Sequence, residues 1–180
     1  DVILTHNAEY MSAPRHFVLW SAPEGRRLAD VRYESAMRHP ESSWSEERVL
    51  LMVEENDQAS IDAVSFDGTR ERLGSLEIDP RSTPWGWARY TGRWLGMVVD
   101  DEVRVLEIGK HSLSEPRRLG RQEGSDIRIA FDKLGRYLAT ANQDGKIHLW
   151  NPTGTSPPTI VQGPAGIWFW FHETTGDEIL

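Results

Sequence analysis

Apolar and polar positions alternate most clearly between Ile127 and Gly154. Ile127, Ile129 and Phe131 are separated by Arg128 and Ala130, the period-two pattern of a strand. Lys133-Leu134-Gly135 breaks the run, and Tyr137 to Ala141 forms a second apolar run. Asp144-Gly145 lies between two such runs. Glycine tolerates the positive φ of a tight turn, so this dipeptide predicts a hairpin. Ile147 and Leu149 alternate again and lead into Trp150, and Thr153-Gly154 marks a further turn. The pattern predicts three antiparallel strands in a meander.

The same pattern recurs along the chain. The strand ending at Trp150 has counterparts in Phe17-Val18-Leu19-Trp20, Ile61-Asp62-Ala63-Val64 and Val103-Arg104-Val105-Leu106. Trp20, Val64, Leu106 and Trp150 stand 44, 42 and 44 residues apart. A glycine turn follows each, at Gly25, Gly68, Gly109 and Gly154. An acidic or polar turn precedes three of them, at Asn56-Asp57, Asp100-Asp101 and Gln143-Asp144. Before the first there is instead a longer polar loop, Asn7 to Arg15. Each glycine turn leads into another strand, opening Arg26-Arg27-Leu28, Arg70-Glu71-Arg72-Leu73, Arg117-Arg118-Leu119 and Pro158-Thr159-Ile160. A fixed period of this length marks a repeat architecture.

Phe131-x-x-x-Gly135, Leu138-Ala139-Thr140 and Asp144-Gly145-Lys146-Ile147-His148-Leu149-Trp150 resemble the core of a WD40 repeat. Such repeats run about 40–45 residues and fold as one four-stranded blade of a β-propeller. The resemblance implies an all-β propeller segment of four-stranded antiparallel blades, a single partial domain over residues 1–180. The units are 1–34, which lacks its first strand, then 35–80, 81–122, 123–163 and the start of another at 164–180. Inner strands are expected at residues 35–40, at Trp85-Gly86-Trp87, at Ile127 to Phe131 and at Ile167 to Phe171. Both ends of the chain fall inside strands, which would leave unpaired edges. A piece of a longer propeller is therefore expected, with a closed four-bladed ring as the alternative.

In WD40 repeats a His before the first strand, a Ser or Thr in the second, an Asp in the tight turn and a Trp in the third often form one polar network. Thr140, Asp144 and Trp150 match three of these, with Gly145 in the turn and Trp20 as the tryptophan of the first unit. The His is absent, for the loop reads Gln122-Glu123-Gly124-Ser125. The resemblance gives these residues a structural role and implies no catalytic one.

Composition narrows the chemistry. The 180 residues are enough for a real core, and the net charge of −8 argues against a basic nucleic-acid-binding surface. There is no Cys, which removes disulfides and thiolate chemistry. No apolar run approaches the ~20 residues of a membrane span. The N-terminus has no signal-peptide pattern, and the compartment is left open, with the cytoplasm favoured. The six His residues show no metal-ligand spacing; His6 and His16 alone would make a poor zinc site. Carboxylates cluster at Glu54-Glu55-Asn56-Asp57 and Asp100-Asp101-Glu102, where turn chemistry explains them. The recurrent arginines are expected to guard the outermost strand against aggregation, with an anion-binding rim as the alternative.

The WD40 resemblance implies a non-catalytic scaffold for protein partners, and no cofactor, metal, nucleic acid or membrane is expected. Candidate contacts are residues expected in loops: Trp44, Asn56, Arg89, Asp100 and Gln143. The alternative is a ligand-sensing or catalytic propeller, or the sensor domain of a larger signalling enzyme.

Overall fold

A computed structural model describes residues 2–6, 15–33, 42–44, 48–55, 58–76, 89–90, 93–125, 127–132 and 134–166. Among them there is no helix, and the strands form four antiparallel meanders. The first is β1 (Val2–His6), β2 (Arg15–Ser21) and β3 (Arg27–Tyr33). The second is β4 (Ser42–Trp44), β5 (Arg48–Glu55), β6 (Gln58–Ser65) and β7 (Arg70–Leu76). The third is β8 (Arg89–Tyr90), β9 (Trp94–Val99), β10 (Glu102–Glu107) and β11 (Arg117–Arg121). The fourth is β12 (Arg128–Phe131), β13 (Leu138–Ala141), β14 (Lys146–Trp150) and β15 (Thr159–Gln162). In every sheet the spatial order follows the sequence.

The chain divides into two compact units, Asp1–Pro80 and Arg81–Leu180. In the first, Phe17, Leu19, Ala29, Val31 and Tyr33 pack against Val49, Leu51, Val53 and Val64 of the second sheet. In the second unit, Val98, Val103 and Val105 pack against Ile129, Leu138 and Trp150. Strands β6, from Ala59 to Val64, and β9, from Trp94 to Val98, are buried on both faces. That burial explains why their sequences show little alternation.

Each of the first three sheets carries a bulge in its outer strand. The partners step from Leu19↔Ala29 to Trp20↔Arg27, from Ile61↔Gly74 to Asp62↔Arg72, and from Val103↔Gly120 to Arg104↔Arg118. The residue left over is a leucine each time: Leu28, Leu73 or Leu119. Leu73 is buried, and Leu28 and Leu119 pack against the two cores. The leucine that recurs after the arginines is thus the extra residue of a bulge, and its side chain turns inward.

Two strands differ from the expected pattern. The innermost strand of the second sheet is Ser42–Trp44, although Trp44 was expected in a loop. Pairing of Trp44 with Val49 fixes it, because β5 is a strong apolar strand that needs an antiparallel neighbour. Likewise Arg89–Tyr90 pairs with Gly96 and Leu95, although Arg89 was expected in a loop. Residues 35–40, Trp85 to Trp87 and Ile167 to Phe171, where other inner strands were expected, lie outside the described residues.

The third and fourth sheets meet through two glycines. A Cβ on Gly96 would lie 3.0 Å from the Phe131 ring, and one on Gly120 would lie 2.7 Å from Cζ3 of Trp150. Glycine there lets an aromatic ring reach the opposing backbone. Gly120→Ala is expected to cost about 1–3 kcal/mol by overpacking, measured as a lower urea midpoint with an unchanged slope.

Candidate functional site

The polar chemistry of the first unit centres on Asp62. It sits on β6 with no exposed surface. A lone buried carboxylate would be very costly, so donors must surround it. Tyr33 Oη donates to Oδ2 at 3.0 Å, Arg70 Nε donates to the same oxygen at 2.7 Å, and Arg72 Nε donates to Oδ1 at 2.9 Å. The Arg70 guanidinium also lies 4.1 Å from the centre of the Tyr33 ring. Burial, then the Asp62 charge, pushes the Tyr33 phenol well above its usual value. Tyr33 therefore stays protonated at neutral pH and can only donate to the carboxylate.

The second unit has a neutral counterpart. Trp150 Nε1 donates to Thr140 Oγ1 at 2.8 Å, and Thr140 Oγ1 donates to Gln122 Oε1 at 2.9 Å. Gln122 Nε2 donates in turn to the Lys146 carbonyl at 3.3 Å. Gln122 and Thr140 are fully buried and Trp150 nearly so. Gln122 thus closes this chain of hydrogen bonds from the segment between β11 and β12.

Strand register relates the two joints. Tyr33 pairs with Arg15 at the end of β3. Gln122 N bonds the Asp101 carbonyl, one step beyond the Glu102↔Arg121 pair. Arg15 and Asp101 each lie five residues before Trp20 and Leu106, so Tyr33 and Gln122 stand on the same rung. Both close their outer strand and reach into the next sheet.

The predicted structural residues fare unequally. Trp20 Nε1 donates to Thr5 Oγ1 at 2.9 Å, repeating the bond from Trp150 to Thr140. The registers agree, for Ile3 faces Trp20 as Leu138 faces Trp150. Gly145 has φ 78°, and a Cβ there would lie 2.3 Å from the Pro164 carbonyl. Only glycine fits this turn. Asp144 is exposed, and its carboxylate has no partner among the described residues. Asn142 does the work expected of it: Oδ1 accepts from Lys146 N at 3.0 Å and Nδ2 donates to the Glu123 carbonyl at 2.9 Å. The turn spans four residues and ends at Gly145, with Gly145 N bonding the Asn142 carbonyl. Its controlling side chain is therefore the first residue.

The candidate contacts divide as well. Asp100 is exposed at the β9–β10 turn, where it and Asp101 have φ of 51° and 63°. Two successive positive φ values make a type I′ hairpin. Gln143 is exposed on the β13–β14 turn, where its Oε1 accepts from Ser125 Oγ at 3.2 Å. Both turns flank the segment Gln122 to Ser125, so the structure brings them together at one end of the second unit. Trp44 and Arg89, expected in loops, lie instead in β4 and β8. Asn56 lies outside the described residues.

The recurrent arginines, expected to guard an edge, make specific polar contacts. Arg70 and Arg72 hold Asp62, Arg27 pairs with Asp30, Arg118 reaches Glu102 at 3.0 Å and Arg117 donates to the Gly154 carbonyl at 3.2 Å. Tyr33, Asp62, Gln122, Asn142 and Thr5 were not singled out by the sequence. Gln122 had a visible signal, since it stands in the loop where the motif lacks its His. Tyr33 had none, because turns of different length precede the same rung.

No family model matches the chain, and no curated protein matches it. Among solved structures it is similar to Hsv2 of Kluyveromyces lactis, with TM-score 0.71 and 11% identity over 96% of this chain and 52% of that one. It is also similar to TolB from Acinetobacter baumannii, with TM-score 0.60 and 13% identity over 99% of this chain and 45% of that one. BamB from Moraxella catarrhalis matches with TM-score 0.58 and 14% identity over 94% of this chain and 52% of that one. These are β-propeller proteins, and the likeness shows the fold: an all-β propeller segment of antiparallel sheets. The chain spans about half the length of these neighbours.

The joints set the expected stability effects. Trp150→Ala should cost about 3–5 kcal/mol, and Asp62→Ala about 3 because it strands two arginines beside a buried phenol. Asn142→Ala should cost about 1–2 kcal/mol and Asp144→Ala under ~0.5. Urea denaturation of the four variants tests this order.

Proposed function

We propose that the chain is a WD40-like propeller segment that acts as a rigid, non-catalytic scaffold for protein partners. One observation carries this reading: the best-placed reactive polar groups are consumed by the fold. Asp62 is saturated by Tyr33, Arg70 and Arg72, and Thr140 by Trp150 and Gln122. Buried Asp132 accepts from Arg136 Nε and from Tyr137 N. Asp100 and Gln143 are exposed on turns, where side chains can vary without disturbing the sheets. The Trp-to-Thr hydrogen bond repeated in two sheets supports the WD40-like reading. The net charge of −8 favours a protein partner over nucleic acid. Neither a cofactor, a metal nor a membrane enters the reading.

The test is binding to a purified partner, found by capture on the immobilised chain. Asp100→Asn with Gln143→Ala should weaken that binding about tenfold, equivalent to about 1.4 kcal/mol, while the melting temperature stays unchanged. Unchanged affinity would reject these turns as the contact. Turnover of a small substrate by the chain alone would reject the scaffold.

A further inference from the structure

We infer that His148 makes the packing of the fourth sheet on the third sensitive to protons, so that this joint loosens in mild acid. His148 lies on β14 on the same face as Trp150, whose ring meets Gly120 and packs with Val103 and Val105. Only 6% of the residue is exposed, and neither Nδ1 nor Nε2 has a hydrogen-bond partner among the described residues. Its ring centre stands 5.3 Å from that of Trp150. Native proteins seldom leave a buried polar atom unmatched, so this site calls for an explanation.

The equivalent position of the second sheet makes the contrast. His148 and Asp62 each lie two residues before the repeat positions Trp150 and Val64. Asp62 is enclosed by Tyr33, Arg70 and Arg72, whereas the fourth sheet has no arginine on its outer strand, Thr159–Gln162.

A proton on His148 would meet no compensating carboxylate among the described residues. On its own strand the charged neighbour is Lys146. Thr140 of β13 and Ile160 of β15 stand opposite it. The cations of β11 are Arg117, on the Gly154 carbonyl, Arg118, on Glu102, and Arg121, on Asp101. On β10, Arg104 is paired with Glu102 and Glu107 is held by Arg93. Arg128 of β12 alternates with Ile129, which faces the third sheet, and so belongs to the other face. Strands β9, β13 and β15 carry no ionisable side chain.

Burial first, and then the Lys146 charge, hold the imidazole below its ordinary value of 6.5. The unfolded chain therefore takes up a proton before the folded chain does. The contribution of His148 to stability is constant above about pH 6.5 and falls as the pH drops below it, until the folded imidazole titrates too. Thr140 pairs directly with His148, so the strain falls on the chain from Trp150 through Thr140 to Gln122.

Two measurements on the full 180-residue chain test this inference. In an NMR titration, the His148 imidazole should titrate below the ordinary value near 6.5. In urea denaturation from pH 7.5 to 5.0, the unfolding constant should rise by up to about tenfold per pH unit below ~6.5, and His148→Leu should flatten that rise. Titration at or above the ordinary value overturns the inference, as does an unchanged slope in the variant. If His148→Leu does not fold, the wild-type titration decides alone.

Discussion

The structure depends on a buried polar residue at the end of an outer strand that crosses into the next sheet. Tyr33 makes this crossing in the first unit and Gln122 in the second. The apolar faces supply most of the stability, at about 1.5–3 kcal/mol for each fully buried aliphatic or aromatic side chain. Apolar contact is non-directional, however, and does not by itself fix one register. A hydrogen bond contributes only about 1 kcal/mol net, but leaving its buried partner unmatched costs more. Sliding one sheet over the next would break Tyr33 from Asp62, or Thr140 from Gln122. The small net term therefore selects one arrangement among many of similar apolar area.

The two crossings solve one geometrical problem with different chemistry. In the first unit the acceptor is ionised, so two guanidinium groups must accompany the phenol. In the second every group is neutral, and a hydroxyl that both donates and accepts links Trp150 to Gln122. Around them, bulged leucines turn into the cores while Gly96 and Gly120 let aromatic rings approach the backbone. Each device is local, but each makes sense only against the neighbouring sheet.

This division of labour also bears on function. Tyr33, Asp62, Thr140 and Gln122, which join neighbouring sheets, are withdrawn from solvent, while Asp100 and Gln143 are exposed on turns. At one end of the second unit, the Asp100-Asp101 turn and the Asn142 to Gly145 turn flank the segment beginning at Gln122. The backbone there is fixed by Asn142 and Gly145, so an exposed side chain such as Gln143 is presented in a set position.

By itself the sequence determined the strand period, the all-β class and the hairpin at Gly145. These follow from local rules: alternation sets a strand, and a tight turn with positive φ requires glycine. The repeat spacing also marked Trp20 and Trp150, and the WD40 resemblance marked Thr140. The tertiary structure alone decided which polar group answers which. Asp144 looked like the controlling turn residue, yet Asn142 makes those bonds, since only the folded turn shows which side chain faces its amides. Asp62 and Arg70 to Arg72 are close in sequence, but Tyr33 joins them from 29 residues away. Trp44 reads as a loop residue until β5 offers Ser42–Trp44 an edge to pair with. Such partners are set by the packing of one sheet on another, where variable turn lengths and bulges erase any fixed interval in the sequence.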